Sequence, residues 1–382
     1  MKKLMLLVFL AMLFTILFTA CRSDSELDSG DDIGNTLTTT DELEVMQEFD
    51  LESEPNGYES LEINMDDFVR IDSLSSLSEL DDVVYINPVE VDIGRLGDIH
   101  EWIYDLRQEY STQLAELQKT LFGEESLEQN NFEFVTTNRI VFYRLRYVVD
   151  GVEVIGHISA PADHLTGNYP ILIWNRGGNG SYGKNEGSEV WLMAQHGFIV
   201  LATQYRGVDG GMDFDRFGGA DVYDVTKLID FAEMFTFSSG EIFMYGWSRG
   251  AMQTFIVLSR DDRIDAAVAG AGMSNLIDTY REREDMQQML RMRVGGPPYA
   301  VPEEFEARSA ICWPEKINTP LLIVHGTADE RVGYHHSKML YEAMYVLEKD
   351  VSLVLFQDMD HYAPAWAFKT EYLLWLRMHS HY

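Results

Sequence analysis

The chain has 382 residues, 46% of them apolar and 12% aromatic, which is ample for a packed core and excludes global disorder. Its formal charge of −34 excludes a nucleic-acid binder, whose phosphates need clustered Lys and Arg, and argues against a role on anionic lipid surfaces. Two cysteines, Cys21 and Cys312, cannot build a disulfide framework.

The chain opens with "MKKLMLLVFLAMLFTILFTAC", a pair of lysines followed by a short apolar run to Ala20. This is the pattern of a secretory signal. The run is also close to the shortest that spans a bilayer, so an uncleaved anchor is the alternative. Thr19-Ala20-Cys21 resembles the lipobox of bacterial lipoproteins, with Phe18 where that motif usually has Leu. That resemblance implies lipid on Cys21 and an extracytoplasmic chain tied to the membrane; plain secretion is the other alternative. Cys312 is then a lone thiol, read as inert. From Arg22 to Ser60 there are thirteen acidic residues against one Arg and no apolar period, which predicts an extended, solvated tether. An acidic calcium loop is a weak reading, because "DSGDD" lacks the later Glu of a twelve-residue loop.

Between Asp98 and Phe122, residues Ile99, Trp102, Ile103, Leu106, Tyr110, Leu114, Leu117 and Leu121 recur at three-to-four spacing. One amphipathic helix is expected there. From Ile140 the rhythm changes to two alternating strands joined at Asp150-Gly151, a hairpin signal. Short apolar strands then alternate with helices. Strands are expected at Ile171–Trp174, Ile199–Thr203, Ile242–Tyr245, Ala266–Ala269, Leu321–Val324 and Val351–Phe356. Helices are expected at Glu189–His196, Asp221–Phe235, from Ser248 to about Leu258, at His336–Leu347 and near Trp366–Met378. Such βα repetition gives a mostly parallel sheet with helices on both faces, whose function gathers at the carboxyl ends of its strands.

Chemistry concentrates at three of those ends. "GWSRG" sets Ser248 between Gly246 and Gly250 at a strand-to-helix turn, the pattern of a nucleophile elbow. A serine hydroxyl needs a base, and the base an orienting carboxylate, in the chain order Ser, Asp, His. "HGTADERV" and "FQDMDHYAP" run off the next two strand ends and supply Asp329 and His361, with Glu330, Asp358 and Asp360 as reserve carboxylates. His325 reads as structural, while His335 and His336, opening a helix, read as solvated. An oxyanion needs donors. The backbone N–H of Arg249 is one, and the loop "NRGGNGSYG", with Gly177 and Gly178, is the candidate for the second; a flexible loop without chemistry is the alternative. Asn275–Trp313, with its Met-rich helical opening, reads as a small cap, either a substrate wall or core packing. No metal ligands and no cofactor motif stand out.

The segment from about Ile140 onward resembles the catalytic domain of the prolyl oligopeptidase family within the α/β-hydrolases. The stretches that carry it are "YRLRYVVDGVEVIGHISAP", "YRGVDGGMDFDRFGGADVYDV", "GWSRG", "INTPLLIVHGTADERV" and the late "DH". The resemblance implies nucleophile, acid and base at Ser248, Asp329 and His361. It makes Arg206, Gly207, Gly218, Gly219, Asp221 and Asp224 scaffold, and it implies a peptide substrate. Two departures stand out. Asn175 and Arg176 occupy the place of the family's usual His-Gly-Gly-Pro or Tyr. About 80 residues between tether and Ile140 are too few for the family's β-propeller, which keeps a small-acyl esterase open; a binding protein on a hydrolase scaffold is the remote alternative. The expected layout is a signal peptide at 1–20, a tether at 21–60, an extension at 61–130 and an α/β-hydrolase domain at 131–382. Oligomeric state is left open.

Overall fold

The structure, a computed structural model, describes residues 71–89, 93–123 and 139–379, with side chains described from residue 101 onward in the helix that starts at Ile93. The signal, the lipidation residue Cys21 and the acidic tether lie outside the described residues. Hydrophobic periodicity translates directly into the sheet. Alternation in β2 (Ile140–Val149) and β3 (Val152–Pro161) makes the expected hairpin, with Asp150 and Gly151 both at positive φ in its turn. Continuous apolar runs become strands covered on both faces: β4 (Tyr169–Asn175), β5 (Ile199–Thr203), β6 (Ser238–Trp247), β7 (Ala266–Gly270) and β8 (Leu321–Gly326). With β9 (Val351–Phe356) and β1 (Val83–Pro88), they form one nine-stranded sheet in the order β1-β2-β3-β5-β4-β6-β7-β8-β9. Pairing is antiparallel from β1 to β5 and parallel from β5 to β9. Strand β1, which the sequence did not announce, carries the extension into the same sheet by pairing with β2.

Two cores back the sheet. On one face, Val222, Leu228, Phe255, Ile256, Leu340 and Met344 pack from helices Asp221–Met234, Arg249–Leu258 and His335–Val346. On the other, Val190, Met193, Tyr372, Leu376 and Leu117 pack from helices Ser188–Gln195, Lys369–Met378 and Ser111–Phe122. The single helix expected over 98–122 is two, Ile93–Glu109 and Ser111–Phe122, separated at Tyr110. The two halves meet different partners: Ile103 packs on Trp191 and Leu192, whereas Leu117 enters the main core. Arg107 anchors the first half with paired 2.9 Å bonds to Glu371. The closing helix is likewise split, into Ala363–Ala367 and Lys369–Met378.

Strand order locates the site. The chain leaves β4 for β5 on one side and returns to β6 on the other. Loops after β4 and β6 therefore diverge, opening a crevice at their carboxyl ends. Asn175 pairs in register with Gly246 there, setting the Gly177–Gly178 loop beside Ser248.

Candidate active site

Ser248 occupies the turn between β6 and the helix Arg249–Leu258 at φ 59° and ψ −122°. That is strained for a residue with a side chain, and the turn is held by its surroundings. Ser248 N donates to Gly270 O at 2.8 Å. The two flanking glycines are needed for close approach: a Cβ on Gly250 would run into the carbonyl of Asn175, and one on Gly246 into that of Gly250. The hydroxyl opens onto a cavity of about 1020 Å³ whose lining includes Gly177, Gly178, Arg249, Met273, Met286, Met289, Val332 and His361.

The loops after β8 and β9 meet behind that cavity. His361 Nδ1 lies 2.6 Å from Asp329 Oδ2, while the backbone N–H groups of Arg331 and Val332 donate to Oδ1 at 2.8 and 2.9 Å. Burial alone would raise the Asp329 carboxyl, but hydrogen bonds from His325 and His361, reinforced by the backbone, hold it well below the usual carboxylate range. His325 goes further than the structural role expected of it. It is fully buried, and its Nε2 reaches both Val332 O at 2.8 Å and Asp329 Oδ2 at 3.1 Å. A carbonyl can only accept, so Nε2 carries the proton, and Nδ1 accepts from Ser337 Oγ at 2.7 Å. Trp247 Nε1 donates to His361 O at 2.9 Å, tying the strand of Ser248 to the histidine loop.

The sequence reading missed what shapes the Gly177–Gly178 loop. Gly177 lies against Ser248, where a Cβ would stand 3.4 Å from the serine Cβ. Arg176 is buried beneath and donates to the carbonyls of Gly177 (3.0 Å), Gly180 (2.8 Å) and Tyr182 (3.3 Å). Burial, with Arg249 nearby, brings its guanidinium down to about 10. The Arg249 side chain is buried between Asp215 and Asp221, at 2.6 Å from an oxygen of each, and reaches Gly178 O at 3.3 Å. Asp215 in turn accepts from Gly180 N at 3.1 Å. The residues that depart from the family pattern hold this loop: Asn175 Nδ2 donates to Thr254 Oγ1 at 3.0 Å, and Arg176 takes the carbonyls. Only charge partners distant in sequence reveal this, and no local pattern marks them.

The cap resolves into helices Leu276–Glu282, Glu284–Val294 and Pro302–Glu306. Met286 and Met289 line the cavity, while Leu290 and Phe305 fill the core. His336 is buried, contrary to the solvated position expected, because Ser274 holds its carbonyl and the cap covers its ring. Its Nε2 lies 3.7 Å from Glu282, which also meets His335 Nε2 at 3.0 Å. Among the described residues this trio is the set of possible metal ligands that converges, and it stands outside the cavity lining at Ser248. Cys312 is not a free thiol, which corrects that expectation.

A strained serine and an imidazole bound to an ionised carboxylate, lining one cavity, fit acyl transfer. Comparison with known proteins points the same way. Residues 185–375 match the prolyl oligopeptidase family. The chain is 30% identical over 230 residues to the uncharacterized peptidase YtmA of Bacillus subtilis (strain 168), covering 60% of this chain and 89% of that one. It is 25% identical over 233 residues to dipeptidyl-peptidase 5 of Porphyromonas gingivalis, covering 56% of this chain and 33% of that one. Among solved structures, the acylaminoacyl peptidase of Pyrococcus horikoshii superposes with a TM-score of 0.53 at 23% identity, over 62% of this chain and 40% of that one. The chain therefore spans most of the first relative but well under half of the larger two. The fold is that of an α/β-hydrolase. The chain belongs to the prolyl oligopeptidase family and is a serine hydrolase of the peptidase type.

Proposed function

We propose that this chain is an extracytoplasmic peptidase working through an acyl-enzyme on Ser248. Ser248 Oγ attacks the carbonyl carbon of a peptide bond while His361 Nε2 takes its proton. Asp329 accepts from Nδ1–H, fixing the tautomer and favouring the imidazolium that forms. The oxyanion receives the N–H of Arg249 and one from the Gly177–Gly178 loop. The C–N bond then breaks as His361 returns the proton to the leaving amine. A water, deprotonated by the same imidazole, attacks the acyl carbon and restores the Ser248 hydroxyl. The observation carrying this reading is the 2.6 Å contact of His361 with Asp329 on the wall of the cavity that Ser248 enters.

Ser248→Ala should melt like the parent, lose labelling by a fluorophosphonate and lose at least about three orders of magnitude in kcat. Retained labelling or a few per cent of parental turnover would end the assignment. Paired substrates with one acyl group, a peptide and its p-nitrophenyl ester, should both be cleaved; turnover of the ester alone makes the protein a carboxylesterase. The same proposal puts the mature amino terminus at a lipidated Cys21, supported by the Thr19-Ala20-Cys21 pattern; the chain has two cysteines and Cys312 is not a free thiol, so this lipid and an intrachain bond to Cys312 exclude each other. Mass spectrometry of the membrane fraction checks it. An amino terminus inside the acidic stretch, or Cys21 recovered in a disulfide, overturns it.

A further inference from the structure

The cavity at Ser248 has two chemically different walls. One is the Met273, Met286, Met289 and Val332 wall, continuous with the core on the cap side of the sheet. The other is aromatic and belongs to the opposite core: Trp174, Tyr245, Trp247 and Trp366, with Trp102 set edge-on against Trp366 at 5.5 Å. Two charged residues, Glu189 and Lys369, line this second wall as well.

Lys369 is the exception among the buried cations. Arg176 is satisfied by carbonyls, Arg206 by Asp224, Arg249 by Asp215 and Asp221, and Arg308 by Glu304. Lys369 is only 7% exposed, yet its ammonium has no hydrogen bond or ion pair within the described residues, just the face of Trp366 at 4.1 Å. Burial pushes its pKa down, opposed by the more distant charge of Glu189. Burial pushes Glu189 up in turn. Tyr245 lines the same cavity, and its hydroxyl is buried without a partner. An ammonium and a hydroxyl left unmatched in one aromatic wall are donors for an anion that the protein does not supply.

Position gives the wall its role, and here the inference rests on the reading of His361 as the proton carrier. That residue must reach the leaving amine, so the leaving group lies on its side of Ser248. Tyr362, Ala365, Trp366 and Lys369 continue from His361 along this same wall, and Trp247 is bonded to its carbonyl. We infer that the aromatic wall is a leaving-group subsite for an amino acid carrying a carboxylate and a large apolar side chain. The Lys369 ammonium and the Tyr245 hydroxyl hold the carboxylate, and the rings hold the side chain. Glu189 balances Lys369 when no substrate is bound and competes with the incoming anion. The carboxylate is the free carboxyl terminus of a peptide cut next to its last residue.

Three peptides with one acyl half test this, their leaving groups being tryptophan, tryptophan amide and glutamic acid α-amide. With the parent enzyme, kcat/KM for the free acid should exceed that for tryptophan amide by about 10- to 100-fold, the range of a charge-assisted hydrogen bond. Lys369→Met should bring that ratio to about one, and Glu189→Gln should widen it, opposite shifts that misfolding does not produce. A ratio near one in the parent, or one unmoved in Lys369→Met, overturns the inference. A preference for the glutamic acid amide overturns the terminal source of the carboxylate. Fluorophosphonate labelling of Ser248 and turnover of the p-nitrophenyl ester are read in parallel, so a failed nucleophile assignment is distinguishable from a failed subsite.

Discussion

The two halves of the site are held by different physics. On the β4–β6 side, Ser248 and the Gly177–Gly178 loop are set by backbone approach and by buried charge: Gly250 against Asn175, Arg176 under three carbonyls, Arg249 between two aspartates. On the β8–β9 side, His361 is set by hydrogen bonds that converge on a single carboxylate, Asp329, from two imidazoles and two backbone amides. Both sets of groups are buried, but the first pairs guanidinium groups with aspartates and loop carbonyls that cannot be unpaired cheaply. The second is a tuning device, since each donor adjusts one carboxylate without carrying the core. Changes to the buried charges that support the first side should therefore show in stability, and changes on the second in turnover.

The sharpest way to break that contrast is Asp329→Asn. The amide keeps the volume and still accepts from Arg331 and Val332, but it presents the wrong group to His361 Nδ1. We expect a folded protein with kcat lower by about four orders of magnitude, the scale seen when a triad carboxylate becomes an amide. A melting temperature lower by many degrees, with turnover spared, would reverse the roles of the two halves.

Asp215→Asn probes the other half. It leaves Arg249 buried with half of its charge partners, and breaking a buried pair costs about 3–5 kcal/mol. The expected result is a large loss in denaturant midpoint, with whatever protein remains folded still labelled by a fluorophosphonate. A variant as stable as the parent but unlabelled would make Asp215 part of the chemistry.

Much of this division was legible in the sequence, and the unequal legibility has a cause. The elbow, Asp329 and His361 could be found because each sits at the end of an apolar run, and strand periodicity fixes where those runs stop. The boundaries of β5 and β9 came out as observed for the same reason. Buried pairing is not periodic. Arg176, Asp215 and Arg249 are far apart in sequence and look like ordinary loop or helix charges. Lys369, in "AFKTEYLLWLRM", reads as the solvated face of a helix until the Trp366 ring is seen to lie against its ammonium. The split at Tyr110 was missed because both halves keep one apolar stripe, and only their separate partners part them.

A smaller effect distinguishes tuning from building on the β8–β9 side. His325→Ala should lower kcat about 10-fold with KM nearly unchanged, because the Asp329 carboxyl loses one of the donors holding it ionised, and its pKa then rises. His325→Gln, which can still donate to Asp329, should recover part of the loss. Equal loss in both variants, or a matching drop in melting temperature alone, would make His325 a core residue only.

The smallest expected effect lies outside both halves and calibrates them. His157 on β3 is buried, tilted against the Phe142 ring at 5.2 Å and beside Arg144, with its Nδ1 unpartnered. Burial first, then the Arg144 charge, lowers its pKa to about 4, against about 6.5 for an unfolded chain. The folded state therefore resists a proton that the unfolded state accepts. The contribution to stability is intact above about pH 6.5 and is lost progressively as pH falls toward 4, reaching at most about 3 kcal/mol. His157→Leu removes the titrating group while keeping an apolar side chain against Phe142. Melting temperatures at pH 7 and pH 5 should then lie closer together in this variant than in the parent, with kcat at pH 7 unaltered. An unchanged spread between the two pH values would mean that the acid sensitivity resides in another buried imidazole, most directly His336, whose pKa burial also lowers.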